Sequence, residues 1–171
     1  MLERSVHIPL AGATGALLAL VLLASSVGGA DSKPQPTHAM TPAEAVRAQV
    51  EALARNDDPF TDAGIEASWA FASPSNRAAT GPLSRFRGLF EGPVYGPMIG
   101  HTGARYSDPR QMGDRALVGV VVTDAGGTER GYLFELSRQA AGDCRGCWLT
   151  DSVFPMETRQ GGANRSNNPS I

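Results

Sequence analysis

The sequence predicts an α+β fold in which three N-terminal helices pack on one face of a curved antiparallel sheet of three to four strands. Two observations predict it. From Thr41 to Phe90 apolar residues recur at three- and four-residue spacing, the period of a helix, whereas from His101 onward they alternate, the period of a strand. The second half is also punctuated by turn-forming stretches, Asp124-Ala125-Gly126-Gly127 and Ala140 to Gly146, that join consecutive strands as hairpins. A run of helices followed by a run of hairpins puts the helices together on one side of the sheet.

The first helix starts at a capping box. In Thr41-Pro42-Ala43-Glu44 the threonine caps orphan amides, the proline fits the first helical position and the glutamate reaches back to the cap. Val46, Val50 and Leu53 then form a narrow apolar stripe with Arg47, Gln49 and Glu51 facing out, and Asn56-Asp57-Asp58-Pro59 ends the helix. A second helix is expected from Asp62 to Ala72, with Ile65, Trp69 and Ala72 on one face and Phe71 at its margin. Ser73-Pro74-Ser75-Asn76 stops it. The third, short helix begins at Pro82, turns Leu83, Phe86, Leu89 and Phe90 inward and Arg85 and Arg87 outward, and stops at Gly92-Pro93.

Ala116 to Thr123 (ALVGVVVT) is rich in β-branched residues and reads as a well-buried strand. Arg130 to Gln139 sets Tyr132, Phe134 and Leu136 against Leu133, Glu135 and Ser137, which leaves Glu135 on the solvent side. Cys147 to Phe154 is the third strand, and Gly103 to Ser107 a weaker fourth.

The chain divides into residues 1–30, 31–40, 41–156 and 157–171. The first stretch has an apolar core from Ala11 to Leu23, Arg4 before it and Gly28-Gly29-Ala30 after it, the make-up of a secretory signal peptide cleaved after Ala30. Its core is shorter than the roughly 20 residues of a membrane span. Retention as an N-terminal anchor is the alternative, since Glu3 dilutes the positive start and Pro9 interrupts the border. A membrane contact enters only in that case, and no cysteine follows the apolar run to accept a lipid. Residues 31–40 are expected as a flexible linker and residues 157–171 as a disordered tail, both too polar to bury a core of their own. What remains is the size of one domain. The net charge of −2 offers no field for nucleic acid, and the presence of one lysine against fourteen arginines reflects base composition more simply than phosphate binding. The expected location is periplasmic or secreted.

Thr41-Pro42-Ala43-Glu44, Trp69-Ala70-Phe71-Ala72-Ser73-Pro74 with Asn76, Tyr95-Gly96-Pro97 and Gly146-Cys147-Trp148-Leu149-Thr150-Asp151 resemble, in that order, a bacterial family known as domain of unknown function 4864, itself similar to some plant proteins. The likeness covers roughly Thr41 to Val153. The order of helices and strands also resembles the nuclear transport factor 2-like superfamily, which implies a cone whose sheet wraps around a cavity. Some of its members are isomerases or dehydratases, and many others bind ligands or proteins, so the resemblance does not choose a function.

Several residues carry candidate chemistry. Cys144-Arg145-Gly146-Cys147 lies in a turn between strands, not at the strand-to-helix junction that activates a thioredoxin-type pair. A structural disulfide is the first reading, and the short loop it closes stabilises by only about 1 to 2 kcal/mol. Two free thiols with Cys147 packed in the sheet, redox chemistry and metal binding are the alternatives, in that order. Metal comes last because nothing nearby completes a tetrahedral set.

His101 is the only histidine in the folded part, and reads most simply as structural or solvated, with an acid/base or ligand contact as the alternative. By strict alternation Asp151 shares a side with Cys147, Leu149 and Val153. Facing a cavity, it would be a carboxylate in apolar surroundings, suited to proton transfer. The other side, with Trp148, Thr150, Ser152 and Phe154, is equally able to line a core.

Trp69, Phe71, Phe86, Phe90, Tyr95 and Tyr132 are core aromatics first. Trp69, Tyr95, Tyr132 and Trp148 are the candidate ligand contacts. Arg77, Arg85 and Arg87 read as a solvated face, or else as a grip for an anion or for a partner's carboxylates. Asn164-Arg165-Ser166 matches a glycosylation sequon, expected to stay bare. There is no phosphate-cradling glycine loop, H-E-x-x-H, EF-hand loop or G-x-S-x-G elbow.

The expected function is therefore an exported, non-enzymatic domain that binds a small apolar ligand or an envelope protein partner, with no cofactor or metal and a homodimer as one mode of assembly. The alternative is an acid/base isomerase or dehydratase-like enzyme that uses Asp151 or His101, with Tyr95 or Tyr132 donating to a developing oxyanion.

Overall fold

The structure is a computed structural model that describes residues 33–158. The signal segment, the first two linker residues, the tail after residue 158 and the sequon lie outside the described residues. An α+β fold is what it shows, with four helices and an open, wholly antiparallel sheet of five strands.

Helix α1 spans Pro42–Ala54 and opens with the capping box. The Thr41 amide donates to Glu44 Oε2 at 2.7 Å, and the Glu44 amide to Thr41 Oγ1 at 3.3 Å. The bond from the Thr41 backbone, and after it one from Thr41 Oγ1 to the same Oε2 at 2.8 Å, hold the Glu44 carboxyl below its usual range. Helix α2, Ala63–Ala70, packs tightly on α1, because a Cβ at Gly64 would run into the Ala52 carbonyl. Asn56 joins the pair: its carbonyl accepts from Gly64 N at 2.9 Å and its side chain from Ile65 N at 3.1 Å.

The helical half departs from expectation after α2. Ser73-Pro74 ends one helix and starts another, α3, Pro74–Thr80, in which Ser73 Oγ accepts from the Asn76 amide at 3.2 Å and Pro74 fills the first turn. Four helices therefore replace the expected three. The same residues serve as stop and start, and the short polar sequence of α3 carries no apolar period to reveal it. Helix α4, Leu83–Gly88, runs into a 3-10 turn at Leu89–Glu91, and a second such turn covers Gly96–Met98.

The strands are β1 (Gly103–Tyr106), β2 (Arg110–Met112), β3 (Arg115–Thr123), β4 (Glu129–Arg138) and β5 (Trp148–Met156). The sheet order is β1-β3-β4-β5, and β2 pairs with the other end of β3 on the same edge as β1. Strand β2 was not expected, since all three of its residues are exposed and leave no alternation to read. It makes the sheet five-stranded where three to four were predicted.

Ala116, Val118, Val120 and Val122 of β3 and Tyr132, Phe134 and Leu136 of β4 form one buried face, packed with Val46, Val50, Leu53 and Ile65 of the helices. Leu117, Val121 and Leu133 on the other face are only half-buried, so β3 is buried on one side and not both. Residues Phe71 to Ser73 lie along the start of β5. Thr150 N donates to Phe71 O at 2.8 Å and Ser73 N to Thr150 O at 2.9 Å.

Residues 33–40 have neither helix nor strand, yet they touch the domain. Lys33 pairs with Glu66 and sits 4.4 Å from the centre of the Phe60 ring, while Met40 packs against the core. No helix of the described residues is long and apolar enough to cross a membrane.

Candidate functional site: an apolar cleft beside a bulged strand

Helix α3 leans against β5, while α4 packs on α2 and α3 and, with the turn after it, faces β5 across a space that they do not fill. They leave a cleft of about 220 Å³. Leu53, Met98 and Phe134, each 2% exposed, lie deepest, and Phe86, Phe90 and Tyr95 form an aromatic wall. Those rings belong to a chain of five. Trp69 meets Phe86 at 5.0 Å between centroids, Phe86 meets Phe90 at 5.4 Å, Phe90 meets Tyr95 at 6.4 Å and Tyr95 meets Tyr132 at 6.3 Å. These separations suit edge and offset packing, which fixes the wall.

The opposite wall is polar but largely self-satisfied. Gln49, expected to face out, is buried at 4% exposure, and its Nε2 donates to Ala45 O at 2.9 Å and to Thr150 Oγ1 at 3.0 Å. Its position four residues before Leu53 turns it toward β5, where the Thr150 hydroxyl and, from its own helix, the Ala45 carbonyl saturate its amide. Asn76 Nδ2 donates to Thr150 O at 3.1 Å, and Thr80 Oγ1 to Asn76 O at 2.8 Å. With their hydrogen bonds spent on one another, these groups make little demand on a ligand.

A bulge decides which side chains of β5 look toward the cleft. Leu136 pairs with Thr150 but Glu135 pairs with Ser152, so Asp151 is the extra residue. Beyond it, Val153 shares the buried face with Phe134, and Phe154 points to the other side with Leu133. Strict alternation fails at this one residue. Asp151 borders the cleft at its rim, and Oδ1 accepts from Ser137 Oγ at 2.9 Å and from Ser75 Oγ at 3.5 Å. Since Ser137 lies on the face away from the helices, the carboxylate is held in a half-exposed hydroxyl cluster and not in apolar surroundings.

The other candidate residues fall in separate places. His101 is 8% exposed and donates from Nδ1 to Met98 O at 2.8 Å, the only direction a carbonyl acceptor allows, and it is not among the residues lining the cleft. Tyr95 lines the cleft, with its hydroxyl donating to Val153 O at 2.8 Å. Tyr132 stands behind Tyr95 and donates to Val94 O at 2.8 Å. Burial raises both phenols, Tyr132 to about 12, so at neutral pH each is a proton-bearing donor already engaged by main chain. Trp69 lies one ring behind Phe86, and Trp148, 6% exposed, belongs to the core; neither lines the cleft.

Arg77 donates to the carbonyls of Trp69 and Ala70 at 3.0 and 2.9 Å, and Arg87 binds Glu66 at 2.6 Å, so both are engaged within the domain while Arg85 is exposed. Cys144 and Cys147 form a disulfide with their Cα atoms 5.4 Å apart. Gly146 makes the turn between them at φ +85°, where a side chain would be strained. Among the described residues no three His, Cys, Asp or Glu are grouped as a metal site would require.

What sequence reasoning missed at this site is Gln49, Asn76, Thr80 and Ser68. Only Asn76, which stands three residues after the cap Ser73, had a local signature that could have placed it. Compared with family models, with curated proteins and with solved structures, the chain matches none.

Proposed function

We propose that this domain binds a small apolar molecule in the cleft between α3, α4 and β5. The observation that carries the reading is an aromatic-walled space of about 220 Å³ whose polar lining is mostly bonded to itself. Such a surface gains from excluding water over its apolar area and gives up few hydrogen bonds when a ligand enters.

Binding is favoured over acid/base catalysis because the proton-handling candidates do not converge: His101 lies off the cleft, Asp151 bonds to hydroxyls on its rim, and both tyrosine hydroxyls are occupied. The disulfide fits an oxidising compartment, which supports export to the periplasm or beyond. Four helices ahead of an antiparallel sheet with a cleft between them are also compatible with distant membership of the nuclear transport factor 2-like group.

Titration with toluene followed by amide NMR tests the reading. The expected shifts cluster at Ala79, Thr150 and Val153. Ala79→Trp, at an exposed position on the rim, should abolish them without unfolding the protein. Shifts scattered over the surface, or unaltered by Ala79→Trp, would reject a binding cleft.

A further inference from the structure

One polar group in the cleft is not spoken for. Ser68, in the middle of α2, lines the space and is 5% exposed, yet its hydroxyl makes no hydrogen bond among the described residues. That oxygen is not fully buried: it keeps a small surface open to the cleft, where a water or a ligand atom can bond to it. The charges around the cleft are arranged equally selectively. Asp151 is the only lining residue that is charged at neutral pH. Glu135 stands beside it on the same bulge, accepting from Ser152 Oγ at 3.0 Å, and neither carboxylate has an ion-pair partner among the described residues. The nearby arginines are turned elsewhere, Arg77 to main-chain carbonyls and Arg87 to Glu66 and Asp62.

Building on the proposed binding role, we infer that the ligand is an uncharged amphiphile: a short apolar body against the aromatic wall and one hydroxyl or carbonyl head bonded to Ser68. Ser68 is thereby the specificity-determining residue. A carboxylate head is rejected twice, because no cation lines the cleft to compensate its loss of water and because Asp151 repels it at the rim. A neutral hydroxyl meets neither penalty and completes the one open hydrogen bond.

The test uses hexan-1-ol and hexanoate at pH 7, with toluene as the probe of the cleft alone, titrated into the full chain and its Ser68→Ala variant. Hexan-1-ol should bind the unaltered protein at least about tenfold more tightly than hexanoate. Ser68→Ala should weaken hexan-1-ol about fivefold, as loss of one neutral hydrogen bond does, while toluene binds both proteins alike and so reports an intact cleft in the variant. Hexanoate binding as tightly as hexan-1-ol, or hexan-1-ol indifferent to Ser68→Ala, overturns the inference even where toluene binds. Failure of toluene to bind the unaltered protein overturns the cleft itself.

Discussion

The two halves of β5 are one strand by hydrogen bonding and two different environments by burial. Trp148, Leu149 and Thr150 are 6%, 7% and 2% exposed, whereas Phe154, Pro155 and Met156 are all exposed. The first half is covered on its outer edge by Phe71 to Ser73 and on its buried face by Gln49. The second half has the cleft beside it and receives Tyr95 on the Val153 carbonyl. Asp151, the extra residue of the bulge, separates them. One inserted residue lets Thr150 and Val153 both face the helices, which strict alternation forbids, and so gives the cleft a polar shoulder and an apolar one.

Deleting Asp151 together with Ser152 is the strongest way to break this contrast. Loss of the first closes the bulge and loss of the second shifts the pairing by one, so downstream residues exchange faces, with Phe154 driven toward Phe134 and Val153 turned outward. Urea unfolding should show a loss of about 4 kcal/mol or more, the range reserved for disruption of a core. Unchanged stability would mean that the register tolerates either pairing and that the bulge does not assign the faces.

A single side chain on the buried half gives the next largest effect. Thr150→Val keeps the shape but leaves Gln49, 4% exposed, without its hydroxyl partner, and should lower stability by about 2 kcal/mol. On the open half, Phe154→Ser should change stability by less than about 0.5 kcal/mol. Equal losses at the two positions would erase the distinction between the halves.

The same contrast explains what could be read in advance. The capping box of α1, the helical stripe through Val50 and Leu53, and the alternation of β3 and β4 are local patterns whose period survives folding, so the α+β class and most element positions were legible. Strand β2 and helix α3 are short and polar, and arise because neighbours offer them hydrogen bonds; no period announces them. Gln49 looked like a solvent-facing residue because its partner, Thr150, is 101 positions away. Asp151 could not be placed by parity, since a bulge is a property of two paired strands and not of either one. The cleft inherits this: its apolar wall was visible as aromatic residues, while Ser68 and the polar shoulder depend on contacts between α1, α2, α3 and β5.

Tyr132 sharpens the comparison at its finest level, because it pairs in register with Pro155 of the exposed half and is itself 1% exposed. Its covering comes from Tyr95 and the Val94 carbonyl, not from β5. Burial lifts the phenol to about 12 from its ordinary value near 10, so the folded state favours the proton-bearing form more than the unfolded chain does. Its contribution is complete below about pH 10 and is lost as the pH rises from there through about 12. Tyr132→Phe should lower stability by about 1 kcal/mol at pH 8 through loss of the bond to Val94, and should flatten the decline between pH 10 and 12. The flattening is partial, since burial also raises Tyr95 and Tyr106. Urea midpoints measured from pH 8 to 11.5 for both proteins check this; parallel curves would show that Tyr132 ionises as freely in the fold as outside it, and that the open half of β5 admits water to its ring.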